Sequence, residues 1–331
     1  MPLAPFCYWT WQPFMTLWQP GISVQRLRDR AQLMREIRDF FAQREVMEVD
    51  TPLLATAGVT DPHLTNAETS IAGQRYFLQT SPEYAMKRLL AAGSGCIYQL
   101  GKAVRDDELG RYHNPEFCLL EWYRIGFDDT QLMQEVDAFL QVTLGCEAAD
   151  YISYQALFLK YLNIDPLEAA GITQLKHWLS AQQLGDWVAT ETDTDTLLQL
   201  AMSHFIEPQM GQQRPVIVFN FPASQAALAR IDVQDPRVAR RFEVYFKGIE
   251  LANGFYELSD SSVQAQRFAA DNQMRSRQGK PQQPIDHHLL TALEAGLPDC
   301  AGVALGVDRL AMLRWGAEHI DQVLSFSARR V

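Results

Sequence analysis

Between Ile97 and Tyr123 the chain passes from one apolar stretch to another through a segment too charged to bury. Residues 104–123 read VRDDELGRYHNPEFCLLEWY and gather Arg105, Asp106, Asp107, Arg111, His113, Asn114, Glu116 and Glu121 around Phe117. Ile97, Tyr98 and Leu100 precede them and the far end alternates again, so the reading is strand, polar loop, strand. Such a loop is long enough to close over a ligand. Arginine offers a planar fork that matches phosphate, and an exposed Phe offers a face on which a base stacks. A solvated surface hairpin is the plainer reading of this segment taken by itself.

At 331 residues the chain has ample length for a large core. Its 47% hydrophobic and 21% charged content describe an ordinary globular protein. The net charge of −11 argues against a general polyanion binder, although a local basic pocket is compatible with it. Cys7, Cys96, Cys118, Cys146 and Cys300 are scattered without metal or C-x-x-C spacing, which reads as free thiols in a reducing cytoplasm. No apolar run reaches membrane-spanning length, so no membrane partner is expected.

Residues 1–22 read as an irregular arm. Prolines at 2, 5, 13 and 20 preclude a helix there, and Met15 offers an alternative start. From Ser23 onward, Leu27, Ala31, Met34, Ile37 and Phe41 recur at helical spacing, and the run 46–52 reads as a strand stopped by Pro52. Residues 58–76 suggest a loop with a short hairpin. At Ser81-Pro82-Glu83 a helix opens, with Ser81 as N-cap, proline in the first turn and Glu83 at the positive helix end. Residues 128–211 are mostly helical and read as an insertion without site residues.

Two later regions carry more information. Val216–Phe219 reads as a buried strand, and Phe242, Val244 and Phe246 alternate with Glu243, Tyr245 and Lys247. In the following IELANGFYEL, Glu250 and Glu257 stand seven apart. If Asn253-Gly254 is a hairpin turn, the two face each other. If the turn is instead at Lys247-Gly248, a bulge at Asn253-Gly254 returns both to one face. Either way, two like charges repel unless a cation lies between them. In GVALGVDRLAMLRWG (302–316), small residues let a backbone approach a ligand closely. Arg309 sits in the first turn of a helix that Gly316 ends.

The 104–123 segment resembles motif 2 of the class II aminoacyl-tRNA synthetases, and its H-N-P-E-F run is similar to the lysyl type. The helix and strand ending at Pro52 resemble motif 1, the dimer-forming element, and 302–316 resembles motif 3. The resemblance spans residues 23–331. It implies an α+β fold with an antiparallel sheet flanked by helices, forming one catalytic domain, and a homodimer. It favours the bulged geometry for the two glutamates.

The resemblance further implies ATP and Mg²⁺. Arg105, Asp106, Asp107, His113, Asn114, Phe117, Glu250, Leu251, Gly306 and Arg309 would face ATP, with Glu250 and Glu257 on the metal. Ser81, Pro82, Glu83, Tyr123, Asn253, Glu257 and Ala304 would face the amino-acid substrate. Arg105, Arg309, Glu250 and Glu257 would carry the chemistry. One departure is that Val104-Arg105-Asp106-Asp107 replaces the usual F-R-x-E, which shortens the last carboxylate by one methylene.

Lysyl-tRNA synthetases carry an anticodon-binding domain before motif 1, and here only the arm precedes it. The runs GRYHNPEF, FPASQA, KGIELANGF and GVALGVDRL are similar to the smaller lysyl-synthetase-like enzymes that attach (R)-β-lysine to elongation factor P. Ala304 stands where lysyl-tRNA synthetases have glycine. The implied partners are therefore lysine or β-lysine and elongation factor P, with tRNA disfavoured. Three alternatives fit these residues less well. A free-standing lysyl-tRNA synthetase would want an added basic domain. An asparagine-synthetase-like enzyme would read its substrate's acid with Arg rather than Glu. A non-catalytic regulatory module would be expected to have lost Arg105, Arg309 or the glutamate pair.

Overall fold

Ser23 starts the first helix, its hydroxyl accepting the Arg26 N–H at 3.2 Å and satisfying one donor that the helix terminus leaves open. The structure, a computed structural model, describes residues 18–106 and 109–331. Most of the arm, with Met15, and the reading attached to Asp107 lie outside the described residues. Helix α1 (Val24–Ala42) buries Leu33, Ile37, Phe40 and Phe41. That face is turned from the one read in the sequence, since Ala31 is exposed and Leu27 and Met34 are only half-buried. The paired aromatics decide the rotation. They carry the largest apolar area, and Phe41 stacks on Tyr98 with ring centres 4.4 Å apart.

Strand β1 (Met47–Glu48) is followed by β2 (Leu54–Ala55), β3 (Glu68–Ile71) and β4 (Gln74–Leu78); the last three form a small sheet in the order β2-β4-β3. The β3–β4 turn uses Ala72 and Gly73, at φ 51° and 78°, the left-handed pair that a tight two-residue hairpin requires. Helix α2 (Glu83–Ala91) leads to β5 (Ile97–Val104) and β6 (Glu116–Ile125). These two pair antiparallel from Ile97↔Tyr123 to Val104↔Glu116, with 105–115 as the polar connection. The expected strand, loop, strand is therefore present.

Helix α3 (Asp129–Leu144), β7 (Asp150–Ser153), α4 (Tyr154–Leu162), α5 (Ala169–Ser180), α6 (Trp187–Thr190) and α7 (Thr194–Ala201) make up the helical stretch. It divides between two cores. Leu132, Val136, Phe139 and Leu140 of α3 join the main core, whereas Tyr154, Phe158, Leu175, Leu179 and Leu197 form a separate apolar cluster over β8. The stretch with its own core thus begins near β7, not at residue 128.

The chain closes with β8 (Val216–Pro222), β9 (Val238–Phe246), β10 (Ile249–Tyr256), α8 (Ser261–Arg277), α9 (His287–Gly296), β11 (Cys300–Gly306) and α10 (Val307–Trp315). The main sheet runs β1-β5-β6-β11-β10-β9-β8-β7. Its inner pairs are antiparallel, and the two edge strands, β1 on β5 and β7 on β8, are parallel. This agrees with the α+β expectation. One face of the sheet buries Leu120, Trp122, Phe242, Val244, Val303 and Leu305 against α1, α3 and α10. Asp308, in the first turn of α10, is itself buried there. It pairs with Arg30 of α1 at 2.6 Å and accepts the Cys118 N–H of β6 at 2.8 Å.

Candidate active site

Successive strand residues point to opposite faces. In β11 the core face carries Ala301, Val303 and Leu305, so the other face carries Gly302, Ala304 and Gly306. The central strand therefore presents almost no side chain on that side, and a cleft of about 360 Å³ opens over it. Register places Ala304 between Asn253 and Glu121, and Gly302 between Phe255 and Tyr123. A Cβ at Gly302 would stand 2.3 Å from the Tyr123 ring and 2.5 Å from Glu257 Oε1, so glycine is required for the packing of those side chains.

One end of the cleft is cationic and aromatic. Arg105, His113, Phe117, Glu250, Leu251, Gly306 and Arg309 line it. The Arg105 guanidinium lies 5.1 Å from the Phe117 ring centre. Arg309 donates to the Glu250 carbonyl at 2.8 Å, meets His113 Nε2 at 2.7 Å and lies 3.5 Å from the Glu250 carboxylate. Two of the residues assigned to ATP sit differently. Asp106 is exposed and absent from the lining. Asn114 borders the cleft, but its amide donates to the Glu116 carbonyl at 2.6 Å and accepts the Ala328 N–H at 2.9 Å, so it ties the C-terminal segment to the loop.

The other end is acidic and buried. Ser81 and Glu83 line the cleft, whereas Glu121, Tyr123 and Glu257 are not part of its lining but lie buried behind it. The formal cap of α2 is Pro82, which is buried, while the Ser81 hydroxyl accepts the Glu83 N–H at 3.0 Å and donates to Glu121 at 2.6 Å. The Tyr123 hydroxyl donates to the second Glu121 oxygen at 2.6 Å. Lys87, fully buried, pairs with Glu83 at 2.7 Å and Glu257 at 2.6 Å. Two carboxylates thus contact one ammonium, and Glu121 stands nearby, tied to Ser81 and Tyr123. Burial pushes Glu121 up to about 7, aided by the Glu83 charge, and Glu257 up to about 8, where Lys87 opposes the rise. Asn253, cross-strand from Ala304, has a buried Oδ1 without a hydrogen-bond partner, an acceptor aimed at the same floor. A buried acceptor left open is costly and suits an incoming N–H.

Glu121 and Lys87 were missed as site residues. The available signals were an acid inside the apolar run LLEWY and a lysine one helical turn after Glu83. Glu207 and Glu243 were missed too. Burial, with the charges of Glu250 and Glu243, pushes Glu207 up to about 7, which places further acid behind Glu250 and Arg309.

The glutamate pair resolves as follows. The turn is at Lys247-Gly248, φ 51° and 72°, so β10 runs on, and the bulge falls between Glu250 and Ala252 rather than at Asn253-Gly254. Gly254 has a different cause, since a Cβ there would lie 2.3 Å from the Phe242 ring. The bulge puts Glu250, Asn253, Phe255 and Glu257 on one face, but about 20 Å of extended strand separates the two glutamates. Sharing a face does not bring them together. Glu250 lies beside Arg309, while Glu257 is held by Lys87. No group of three or more His, Cys, Asp or Glu converges as a metal centre among the described residues.

An ammonium brought against Glu121 would favour its ionised form, which burial and the Glu83 charge disfavour up to about pH 7. Affinity for a diamino acid is therefore expected to rise as the pH approaches about 7, by up to ~tenfold per pH unit for the proton displaced. Calorimetric titration with lysine across that range checks this, with Glu121→Gln flattening the curve. An affinity independent of pH would refute the assignment.

The class II tRNA synthetase family (D, K and N) matches residues 12–330 of this sequence. The chain is similar to the protein named elongation factor P--(R)-beta-lysine ligase of Vibrio cholerae, 57% identical over 315 residues, 93% of this chain and 97% of that one. It is 57% identical over 317 residues to the protein of the same name from Vibrio parahaemolyticus, covering 94% and 98% of the two chains. It is 53% identical over 319 residues to that of Salmonella arizonae, covering 95% and 98%.

Proposed function

Because this chain belongs to the class II tRNA synthetases (D, K and N), we propose that it is an ATP-dependent ligase. It activates (R)-β-lysine as an aminoacyl-adenylate and passes the acyl group to a lysine side chain of elongation factor P. The observation that carries this reading is one cleft lined by Arg105, Arg309 and Glu83, behind which Glu121 and Glu257 lie buried with the single cation Lys87. A buried surplus of carboxylate demands cations, and a diamino acid supplies two.

The substrate carboxylate is ionised at neutral pH and needs no general base. Its oxygen forms a bond to the α-phosphorus of ATP as the bond to the pyrophosphate oxygen breaks. Arg105 holds the carboxylate and α-phosphate, Arg309 holds the distal phosphates, and Phe117 stacks on adenine. Positioning and charge neutralisation do the rest. The acceptor amine then attacks the acyl carbon, the C–N bond forms, AMP leaves and the amine sheds a proton.

Mg²⁺ would neutralise phosphate charge at the ATP end. The half-exposed Glu250 carboxylate, beside buried Glu243 and half-buried Glu207, suits a hard cation; Glu257, committed to Lys87, does not fit that role. A homodimer belongs to the same reading. The short edge strand β1 and its surroundings expose Met47, Leu53 and Leu54, with Val24 exposed at the start of α1. Sedimentation at micromolar concentration should show a dimer, and Met47→Asp should shift it toward monomer. A wild-type monomer would refute the dimer.

Pyrophosphate exchange should be supported by (R)-β-lysine over α-lysine and lost in Glu250→Gln. Elongation factor P from the cytoplasmic fraction should gain the mass of one lysyl group. Exchange with neither lysine, or acylation of tRNA in place of the protein, would overturn the reading. Ala304 lies between Glu121 and Asn253, so its methyl group fills the floor where an α-amine would sit. Ala304→Gly should shift the exchange ratio toward α-lysine by roughly ten- to two-hundredfold. An unchanged ratio would reduce Ala304 to a packing residue.

A further inference from the structure

The run FPASQAALAR (221–230) lies outside the arginine, aromatic and glutamate groups described above, yet it forms one wall of their cleft. After β8 ends at Pro222, a single turn (Ala223–Gln225) leads to Ala227, whose φ of 47° falls in the left-handed region that a methyl-bearing residue disfavours. Ala227 and Leu228 line the cleft alongside Glu83 and Tyr84, at the amine end. Leu228 also packs on the cluster containing Tyr84 and Phe268. The backbone there is held from two sides. Arg267 of α8 donates to the Ala227 carbonyl at 2.6 Å and the Ala229 carbonyl at 2.7 Å, and Arg241 of β9 donates to the Gln225 carbonyl at 2.6 Å. From outside, Asp195 of α7 accepts from the Ser224 hydroxyl at 2.8 Å and from Gln225 Nε2 at 3.0 Å. The helical insertion therefore reaches the substrate wall through one carboxylate.

A backbone held in an unfavourable conformation by surrounding donors, at the edge of a ligand cleft, marks a place where position matters more than local comfort. We propose that Ala227–Leu228 is a specificity-determining wall that packs on the methylene chain of the amino-acid substrate. Arg267 and Asp195 act as positioning residues that fix its distance from the floor at Ala304. This rests on the reading of the protein as a β-lysine-activating ligase. Leu228 supplies an apolar contact for the carbons between the two ammonium groups, and Ala227 keeps the wall thin. The insertion, with its separate core, tunes the fit from behind.

The test is pyrophosphate exchange with (R)-β-lysine and with its homologue one methylene shorter, in the full-length protein. The variants are Asp195→Ala, Asp195→Asn and Ala227→Gly. Asp195→Ala should raise KM for β-lysine by roughly three- to tenfold and narrow the preference over the shorter homologue. Its KM for ATP and its kcat should stay within about twofold of wild type. Asp195→Asn keeps an acceptor oxygen and should restore most of the affinity. Ala227→Gly, which relieves the strained φ, should melt no lower than wild type and still lose discrimination. Unchanged amino-acid KM and discrimination in Asp195→Ala and Ala227→Gly, or equal rises in KM for ATP and amino acid, would overturn the wall. A wild-type protein that exchanges with no lysine isomer would instead remove the reading on which the wall depends, and the wall with it.

Discussion

The Asp308 carboxylate holds the active face together from behind. It is buried, pairs with Arg30 of α1 at 2.6 Å and accepts the Cys118 N–H at 2.8 Å. A buried pair of this kind adds little net stability, but losing one partner strands the other charge, typically at ~3–5 kcal/mol. Its value lies in registration. Phe117 precedes Cys118 on β6 and faces the cleft, and Arg309 follows Asp308 on α10 and does the same. One buried carboxylate at the cleft's edge thus fixes two cleft residues, each one position along the chain. The first helix enters the same junction through Arg30, so the three elements that resemble the family's motifs meet at a single ion.

Much of this was legible because it is written in short-range chemistry. The β5–β6 hairpin followed from alternation on both sides of a charged loop, and the start of α2 from Ser81-Pro82-Glu83. The small-residue strand before Arg309 signalled close approach, and Gly306 does line the cleft, whereas Gly302 makes room for the Tyr123 ring and Glu257. What the sequence hid depends on partners far along the chain. Lys87 reads as an ordinary helical lysine until Glu257, 170 positions later, is seen against it. Asn114 resembles a ligand-facing residue because nothing local reveals Ala328. The bulge was placed at Asn253-Gly254 because glycine favours bulges, whereas that glycine answers to the Phe242 ring on the neighbouring strand.

The charge layout explains how an acidic protein of net −11 accommodates a phosphate-rich ligand. Arg105 and Arg309 are concentrated at one end of the cleft, while the excess acid inside is set back around Lys87. On the proposed function each end would select by sign before any shape is read, since an unmatched charge in a partly desolvated site costs more than a lost contact. A zwitterionic diamino acid can satisfy the gradient in only one direction.

The floor built from Ala304 and Gly306 has a further consequence. These residues have no side-chain torsions to rotate, so the base of the cleft loses no rotamer entropy when a ligand settles on it and has no alternative rotamers with which to adapt. Induced fit must come from the walls, and the floor behaves as a fixed mould of backbone. Its shape can be edited during evolution only by adding or removing a methyl group, the smallest change that protein chemistry allows. On such a surface substrate preference moves in discrete steps, and neighbouring enzymes of this design would differ by whole carbon atoms rather than by gradual drift.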